Sequence, residues 1–529
     1  MTKAPARIAQ KISLPGAASL LAVTMLLSQM LGFLRTKLVF ANFPKVGPES
    51  TDVYFTMFKI PDFFFYILAA GALGVAFIPI LTEHMQRSDK RGVWTLSTSL
   101  MNFMALLMFG VGIVIIVFAR PLTHIVAPNL SPEQLDNAVK ILRLIAFNPL
   151  FFTVSGVLTS TQQVFGRFFF FAITPLIYNL TLIGSIFLFK DSIGLVGLGI
   201  GALAGGLLQL IIAFIGVAGL NFHWKPIISF KSVDFRRVLR QLPARSLDQG
   251  VDSLNSIVET NRARLFGDGV VSSYEGAFTI HTAPILLIGS SISNAAFPRL
   301  SERLAQGRAD LFRKEFVGVL RVIMWLSVPT VIIAYFCRGY LARIIFTKGS
   351  PEIALLLGFL SIAIFFRSVY ALLSRYFYAH KDTTTPLIIS LFAIALNIIL
   401  VFTLARPTTY GAAGLAIAQS IVSASEVLII GIVLVMRDPK ILTKEFWYFS
   451  GRLISVSGFT LFSAFIMLTL LPLNIGDTGF FLLGSKLAAI SLVVLTVHVS
   501  MSLVFEFEEA RATIRKGREI IMKPIRGVL

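Results

Sequence analysis

The sequence predicts an all-α polytopic membrane protein that crosses the bilayer about 14 times. Three observations carry that prediction. Hydrophobic residues make up 56% of the chain and charged residues only 14%, whereas a soluble domain carries about 25% charged residues. The apolar residues fall in runs of roughly 20, the length a helix needs to span a bilayer. The basic residues gather in the short segments between those runs, where they set topology. The formal charge of +20 is therefore no sign of a nucleic-acid partner, and none is expected. A single cysteine, Cys337, excludes an internal disulfide and a cysteine-based metal site. No metal and no cofactor are expected.

The basic start MTKAPARIAQK leads into a long apolar run without a small-x-small cleavage pattern, so it reads as a first spanning helix. Further spans are expected to begin near Thr51, Val93, Glu133, Phe168, Leu195, Val238, Val270, Phe316, Ile353, Thr385, Gly411, Phe446 and Phe480, the first near Leu14. The second, seventh and eighth are the most polar. With the N-terminus inside, inside segments hold roughly 28 Lys and Arg and outside loops roughly 9, a strong positive-inside bias. Both termini are expected in the cytoplasm. The tail RATIRKGREIIMKPIRG reads as an interfacial helix on anionic lipid.

The chain repeats. Thr174-Pro175-Leu176-Ile177 returns as Thr385-Pro386-Leu387-Ile388, and Gly194-Leu195-Val196-Gly197-Leu198 as Gly411-Ala412-Ala413-Gly414-Leu415. Ala76-Phe77-Ile78-Pro79 resembles Ala295-Ala296-Phe297-Pro298 in register with its neighbours, and a basic loop follows each. Three matches in one order indicate one duplication. Six spans per repeat give two lobes of the same orientation around a central cavity, with substrate expected near mid-membrane. The expected organisation is an N-terminal lobe 1–220, a C-terminal lobe 221–437, two extra helices 438–505 and a basic tail 506–529.

Polar residues inside spans are the candidate site. In the seventh span Gln241, Arg245, Asp248, Asp252, Asn255, Glu259 and Arg262 step by four and three, drawing one stripe down one helical face. The first span ends with the polar Gln29 and with Arg35 and Lys37, two cations near its outer end running against the positive-inside bias. In the second, Asp52, Thr56, Lys59, Asp62 and Tyr66 share a face. Asp52 is either a cavity acid or a helix cap; Lys59 and Asp62 either serve the cavity or neutralise each other. In the eighth, Glu275 and Thr279 share a face beside His281, which reads more readily as a core histidine than as a proton relay. Arg367 lies deep in the apolar run IAIFFRSVY and needs a carboxylate or an anion; Glu426 is one candidate. Gly197, Gly201 and Gly205 form a small-xxx-small series for close helix packing. No phosphate loop, HExxH or other catalytic constellation appears, so no enzyme is expected.

The stretches SQMLGFLR, TDVYFTMFKIPDFFFYILAAGALGVAFIPILTE, FGRFFFFAITPLIYNLTLIG and RYFYAHKDTTTPL together resemble the MurJ (MviN) family, lipid II flippases of the multidrug/oligosaccharidyl-lipid/polysaccharide exporter superfamily. The resemblance covers most of the chain. It implies alternating-access transfer of the undecaprenyl-diphosphate peptidoglycan precursor from the inner to the outer leaflet of the bacterial inner membrane. It also implies a lipid-tail groove on the last two helices and a coupling ion or membrane potential to drive reset. The family's first-helix arginine is kept as Arg35 and its acid opening the second helix as Asp52. The sequence departs from the family at Gln29, at Phe65, Tyr66 and Ala70, and at Thr279, where the family carries charged residues thought to meet the diphosphate. Lys59, Arg245, Arg262 and Arg367 are the cations left to replace them. The stripe's acids Asp248, Asp252 and Glu259 leave open an exporter of small organic cations; another lipid-linked oligosaccharide and a non-transporting scaffold for cell-wall enzymes also stay open.

Overall fold

A computed structural model describes residues 14–70, 77–346, 350–512 and 515, with the side chains of 14–19, 21, 22, 70, 241–249 and 350 also outside the described residues. The expected basic tail falls mostly outside that range. All regular elements described are helices. Twelve of them, or helix pairs, are long and apolar enough to cross a membrane among the described residues. The expected spans that do not meet that measure are the second and the seventh, whose polar residues dilute them.

The chain divides into two compact units, 1–272 and 273–529. In the first, α1 (Leu14–Asn42) is followed by α2 (Thr51–Phe65), which runs into a π-helical turn Tyr66–Ala70, and then by α3 (Ile78–Gln86). Next come α4 (Lys90–Val117), the short α5 (Ala119–Val126), α6 (Pro132–Ile145), α7 (Asn148–Val164), α8 (Phe169–Phe189), α9 (Val196–Val217) and α10 (Val233–Arg264). Local chemistry sets several starts. Ser131 and Gln134 form a reciprocal capping box on α6, and the Ser232 hydroxyl accepts from Phe235 N–H at the start of α10. Helix α1 packs on α8, α8 on α9, and α9 on α7 and α6. The α8–α9 contact explains the small-residue series: a Cβ on Gly197 meets Phe189, one on Gly201 meets Ser185, and one on Gly205 meets Tyr178.

The second unit holds most of α11 (Val270–Pro284), a π-helical turn Ile285–Ser290, α12 (Ser291–Ala305), α13 (Ala309–Phe336), the short α14 (Arg338–Ile345), α15 (Ser350–Ala379), α16 (Thr384–Leu404), α17 (Ala413–Arg437), α18 (Lys444–Leu470) and α19 (Phe480–Val504). Helix α15 packs on α17 and α13, α16 on α17, and α18 on α19 and α13. A string of buried polar groups ties α18 and α19 to α13: Trp325 Nε1 donates to Ser502 Oγ at 2.9 Å, and Thr460 Oγ1 lies 3.0 Å from His498 Nδ1. Away from these seams the helices expose large apolar side chains such as Leu106, Leu188, Leu428, Ile454 and Leu492, the surface a lipid-facing protein presents.

The duplication is visible in the element bounds. Lys90–Val117 corresponds to Ala309–Phe336, and Ala119–Val126 to Arg338–Ile345, each at an offset of 219 residues. The π-helical turns begin at Tyr66 and Ile285, at that same offset. Gly194 and Gly411 hold left-handed φ values of +66° and +56° before α9 and α17, a conformation that glycine adopts without strain.

One helix departs from the boundary the repeat suggests. Its repeat position makes α10 the counterpart of α1 and the opener of the second lobe. In the structure it packs on α2, on the π-turn after it and on α5, all in the first unit. Ancestry and contact therefore divide the chain at different places. The polar stripe explains α10's low hydropathy: its 32 residues reach about 48 Å, long enough to span without being greasy all round.

Candidate functional site

Helix α10 is inverted relative to a helix on a soluble surface. Leu254 is exposed while Asn255 and Glu259 are buried. Asn255 Nδ2 donates to Glu259 Oε1 one turn away, at 3.1 Å. Asp252 on the same stripe is exposed and, with Ser253 and Ser256, lines a cavity of about 320 Å³ whose other wall is Lys59, Asp62 and Tyr66. Pro61 lies inside α2 and the π-turn follows at Tyr66, so the helix geometry changes beside these side chains. The cavity brings together three of the expected site residues, Lys59, Asp62 and Asp252. It is a mixed-charge site, with one cation and two acids on its wall. Arg262 is half-buried further along α10. Arg245 and Asp248 have side chains outside the described residues.

Asp52 stands elsewhere. It is fully buried, and Ser50 supplies the α2 cap through an acceptor bond from Asp52 N–H. The Asp52 carboxylate accepts from Gly269 N–H and Ser272 N–H, each at 2.7 Å, and from Arg264 Nη1 at 3.2 Å. Arg264 is 3% exposed and also donates to Asp268 at 2.7 Å and to the carbonyl of Asn129 at 3.2 Å. Burial works against the charge on Asp268 in its loop, yet the bonds from Arg264 and Gln134 outweigh it and hold that carboxyl below the usual range. Asp52 thus clasps the end of α10 and the start of α11 to the start of α2, and it does not line the cavity. The sequence reading missed Arg264 because the stripe of four-and-three steps stops at Arg262. The spacing of Arg264 and Asp268 by four residues was the available signal.

Arg35 is half-buried on α1 and donates to Asn179 Oδ1 of α8 at 3.1 Å; Asn179 in turn reaches Ser28 Oγ at 3.4 Å. Its neighbour in the sequence reading, Gln29, is exposed. Phe65 meets Phe152 edge-on, so the family's charged position there is an aromatic contact in this chain.

The second unit has its own charged pair. Arg367 Nη1 of α15 lies 3.0 Å from Glu426 Oε2 of α17, and Nη2 donates to Gln419 Oε1 at 3.2 Å. The expected partner is therefore the actual one. Thr279 is half-buried and bonds back to the carbonyl of Glu275 at 2.8 Å, and Glu275 is itself half-buried. His281 is buried with Nδ1 3.1 Å from the Phe278 carbonyl, the arrangement of a core histidine. Among the described residues no group of three or more His, Cys, Asp or Glu is disposed to hold a metal ion.

Spanning helices interrupted at matching places in two repeats, here by the π-turns at Tyr66 and Ile285, are elements from which transporters build their sites. The fold agrees: a multidrug-resistance transporter of the exporter superfamily, inward-facing, superposes with a TM-score of 0.67 at 14% identity, over 80% of this chain and 98% of that one. A structure described as lipid II flippase MurJ, inward closed conformation, superposes with a TM-score of 0.76 at 22% identity, over 92% of this chain and 98% of that one. The family model described as lipid II flippase MurJ matches residues 48–486. The chain belongs to the MurJ family, a family of flippases and not of enzymes. The probable lipid II flippase of Borreliella burgdorferi is 24% identical over 429 residues, 80% of this chain and 83% of that protein. The corresponding protein of Buchnera aphidicola subsp. Schizaphis graminum is 26% identical over 331 residues, 62% and 64%.

Proposed function

We propose that this chain carries lipid II, the undecaprenyl-diphosphate peptidoglycan precursor, from the inner to the outer leaflet of the bacterial cytoplasmic membrane by alternating access. The family match over residues 48–486 carries this reading. Both termini lie in the cytoplasm, as the positive-inside bias indicates, and 1–220, 221–437 and 438–505 act as two lobes and a tail-binding pair. The diphosphate meets cations drawn from several helices: Arg35, Lys59, Arg245, Arg262 and Arg367. Guanidinium forks suit phosphate oxygens better than point charges do. Gln29, Asn255 and Thr279 offer polar contacts to the sugar and peptide, and Asp62, Asp248, Asp252, Glu259 and Glu275 balance the cations. Asp52 and Arg264 hold the helices that carry the site.

The test is rescue. A host depleted of its own lipid II flippase is made to express this chain, and growth is followed together with outer-leaflet lipid II. Growth and surface lipid II are expected to return, and to be lost on Arg35→Ala or Arg262→Ala at unchanged membrane level. Good expression without surface lipid II contradicts the reading. The acids Asp62 and Asp252 on the cavity wall favour one alternative, export of a small organic cation. That alternative predicts cation efflux from cells, lost on Asp252→Asn, with no change in surface lipid II.

A further inference from the structure

The Arg367–Glu426 pair is built differently from a structural salt bridge. Glu426 is 3% exposed, while the Arg367 side chain is 34% exposed. The guanidinium is partly open; the carboxylate is closed off. Among the described residues Arg367 is the only partner the structure gives the Glu426 carboxylate, and Oε2 is buried without a hydrogen bond of good geometry. A carboxylate offers about four lone-pair sites, so this one is poorly satisfied.

Among the described residues Arg367 is the cation that acts on Glu426. Helix α17 itself presents Gln419, which is bonded to Arg367, and Ser423, whose hydroxyl donates to the Gln419 carbonyl. Helix α15 adds Tyr370, close enough to both charges to feel them and bonded to Ser390 of α16. His281 of α11 is near Arg367 but turned to the Phe278 carbonyl. The packing around them is apolar, with Ile323 of α13, Val369 of α15 and Ile430 of α17 in one cluster.

We propose that Arg367 and Glu426 form a proton-coupled anion site: a phosphate-type anion takes the exposed guanidinium, and Glu426 takes a proton from solution as it loses that cation. The reason is the cost of a buried lone charge, which neutralisation removes. The bookkeeping closes: the O–H bond forms on Glu426, the proton comes from bulk water, and nothing is oxidised or reduced. One proton cancels one of the two negative charges on a diphosphate diester, so the lipid-linked substrate travels with its charge halved at this site. The inference rests on the proposed lipid-linked substrate and adds a proton that is bound together with it.

The experiment uses the full chain in detergent or nanodiscs and a short-chain prenyl diphosphate diester, whose phosphates do not titrate near neutral pH. Binding is measured by calorimetry in buffers of different ionisation enthalpy, which counts protons taken up. The chain is expected to take up about one proton per ligand and to bind about tenfold more tightly for each unit the pH falls through the titration. Glu426→Gln is expected to bind with no uptake and with no pH dependence, and Arg367→Gln to lose at least about tenfold in affinity. Binding with equal proton uptake in the wild type and Glu426→Gln overturns the coupling and leaves the lipid-flippase reading standing. No binding of the diester at all overturns both. A Glu426→Gln chain that elutes and melts like the wild type shows that its lost uptake is not a folding defect.

Discussion

Two buried arginine–carboxylate pairs, one in each compact unit, have opposite designs. Arg264–Asp52 is closed on both sides: the arginine is almost fully buried, and the carboxylate accepts from two backbone N–H groups as well as the guanidinium. Arg367–Glu426 is closed on one side only, with a third of the arginine open and the carboxylate holding one partner among the described residues. The first is a clasp: both Asp52 oxygens accept from fixed backbone donors, and the guanidinium donates to Asp52, Asp268 and the Asn129 carbonyl, with Arg264 Nε alone left without a partner among the described residues. The second is a switch, since a competing anion can reach the cation and a proton can replace it. Burial alone does not separate these roles; the degree of hydrogen-bond satisfaction does.

The largest expected effect comes from opening the clasp. Arg264→Ala leaves Asp52 charged and buried, at a cost of about 3–5 kcal/mol, and a large drop in the melting temperature of the purified chain is expected. Removing both charges, as Asp52→Asn with Arg264→Gln, is expected to recover part of that loss, because no lone charge remains. A wild-type melting temperature for Arg264→Ala breaks the contrast between the pairs. Glu426→Gln is expected to cost less than about 2 kcal/mol, because its arginine can turn to water or anions. The same melting assay places it beside Arg264→Ala. Between these lies Gly201→Leu: the added side chain meets Ser185 where α8 and α9 touch, and overpacking of this kind costs about 1–3 kcal/mol. Trp325→Phe removes the indole donor to Ser502 and is expected to lower stability by about 0.5–1.5 kcal/mol, read as earlier proteolysis around α18 and α19.

The smallest effect is a pH dependence in the loop after α15. Asp382 is partly desolvated, which raises its pKa, but Thr385, Arg437 and Thr384 donate to it and hold it at about 2. A depressed folded value means the loop is stabilised above the unfolded pKa of about 3.9. That stabilisation is lost as pH falls from about 4 toward 2. Asp382→Asn is expected to flatten the acid limb of the melting curve over that window.

Much of this was legible in the residues. The positions of the span starts follow from apolar runs, and the duplication from three short matches; the π-turns and short helices α5 and α14 then keep the 219-residue register. The Arg367–Glu426 pair could be named in advance because a deep cation in an apolar run has few carboxylates to choose from. The inward face of Asn255 and Glu259 followed from helical spacing. The clasp did not, since Asp52 and Arg264 are 212 residues apart and nothing local in either stretch announces the other. A reader of the sequence sees Asp52 behind Ser50 and reads a cap or a cavity acid. The side of the boundary on which α10 packs was equally hidden, because repeat register records descent and packing follows the polar wall that α2 offers.

The most direct test of the account is transfer in a membrane that contains only this chain. Proteoliposomes with a fluorescent diphosphate-linked lipid in one leaflet are scored for its arrival in the other, under an imposed membrane potential. The account predicts transfer by the wild type, loss on Arg367→Gln and loss of pH dependence on Glu426→Gln in chains that melt normally. Transfer that is indifferent to both substitutions, or none from a correctly folded wild type, contradicts it.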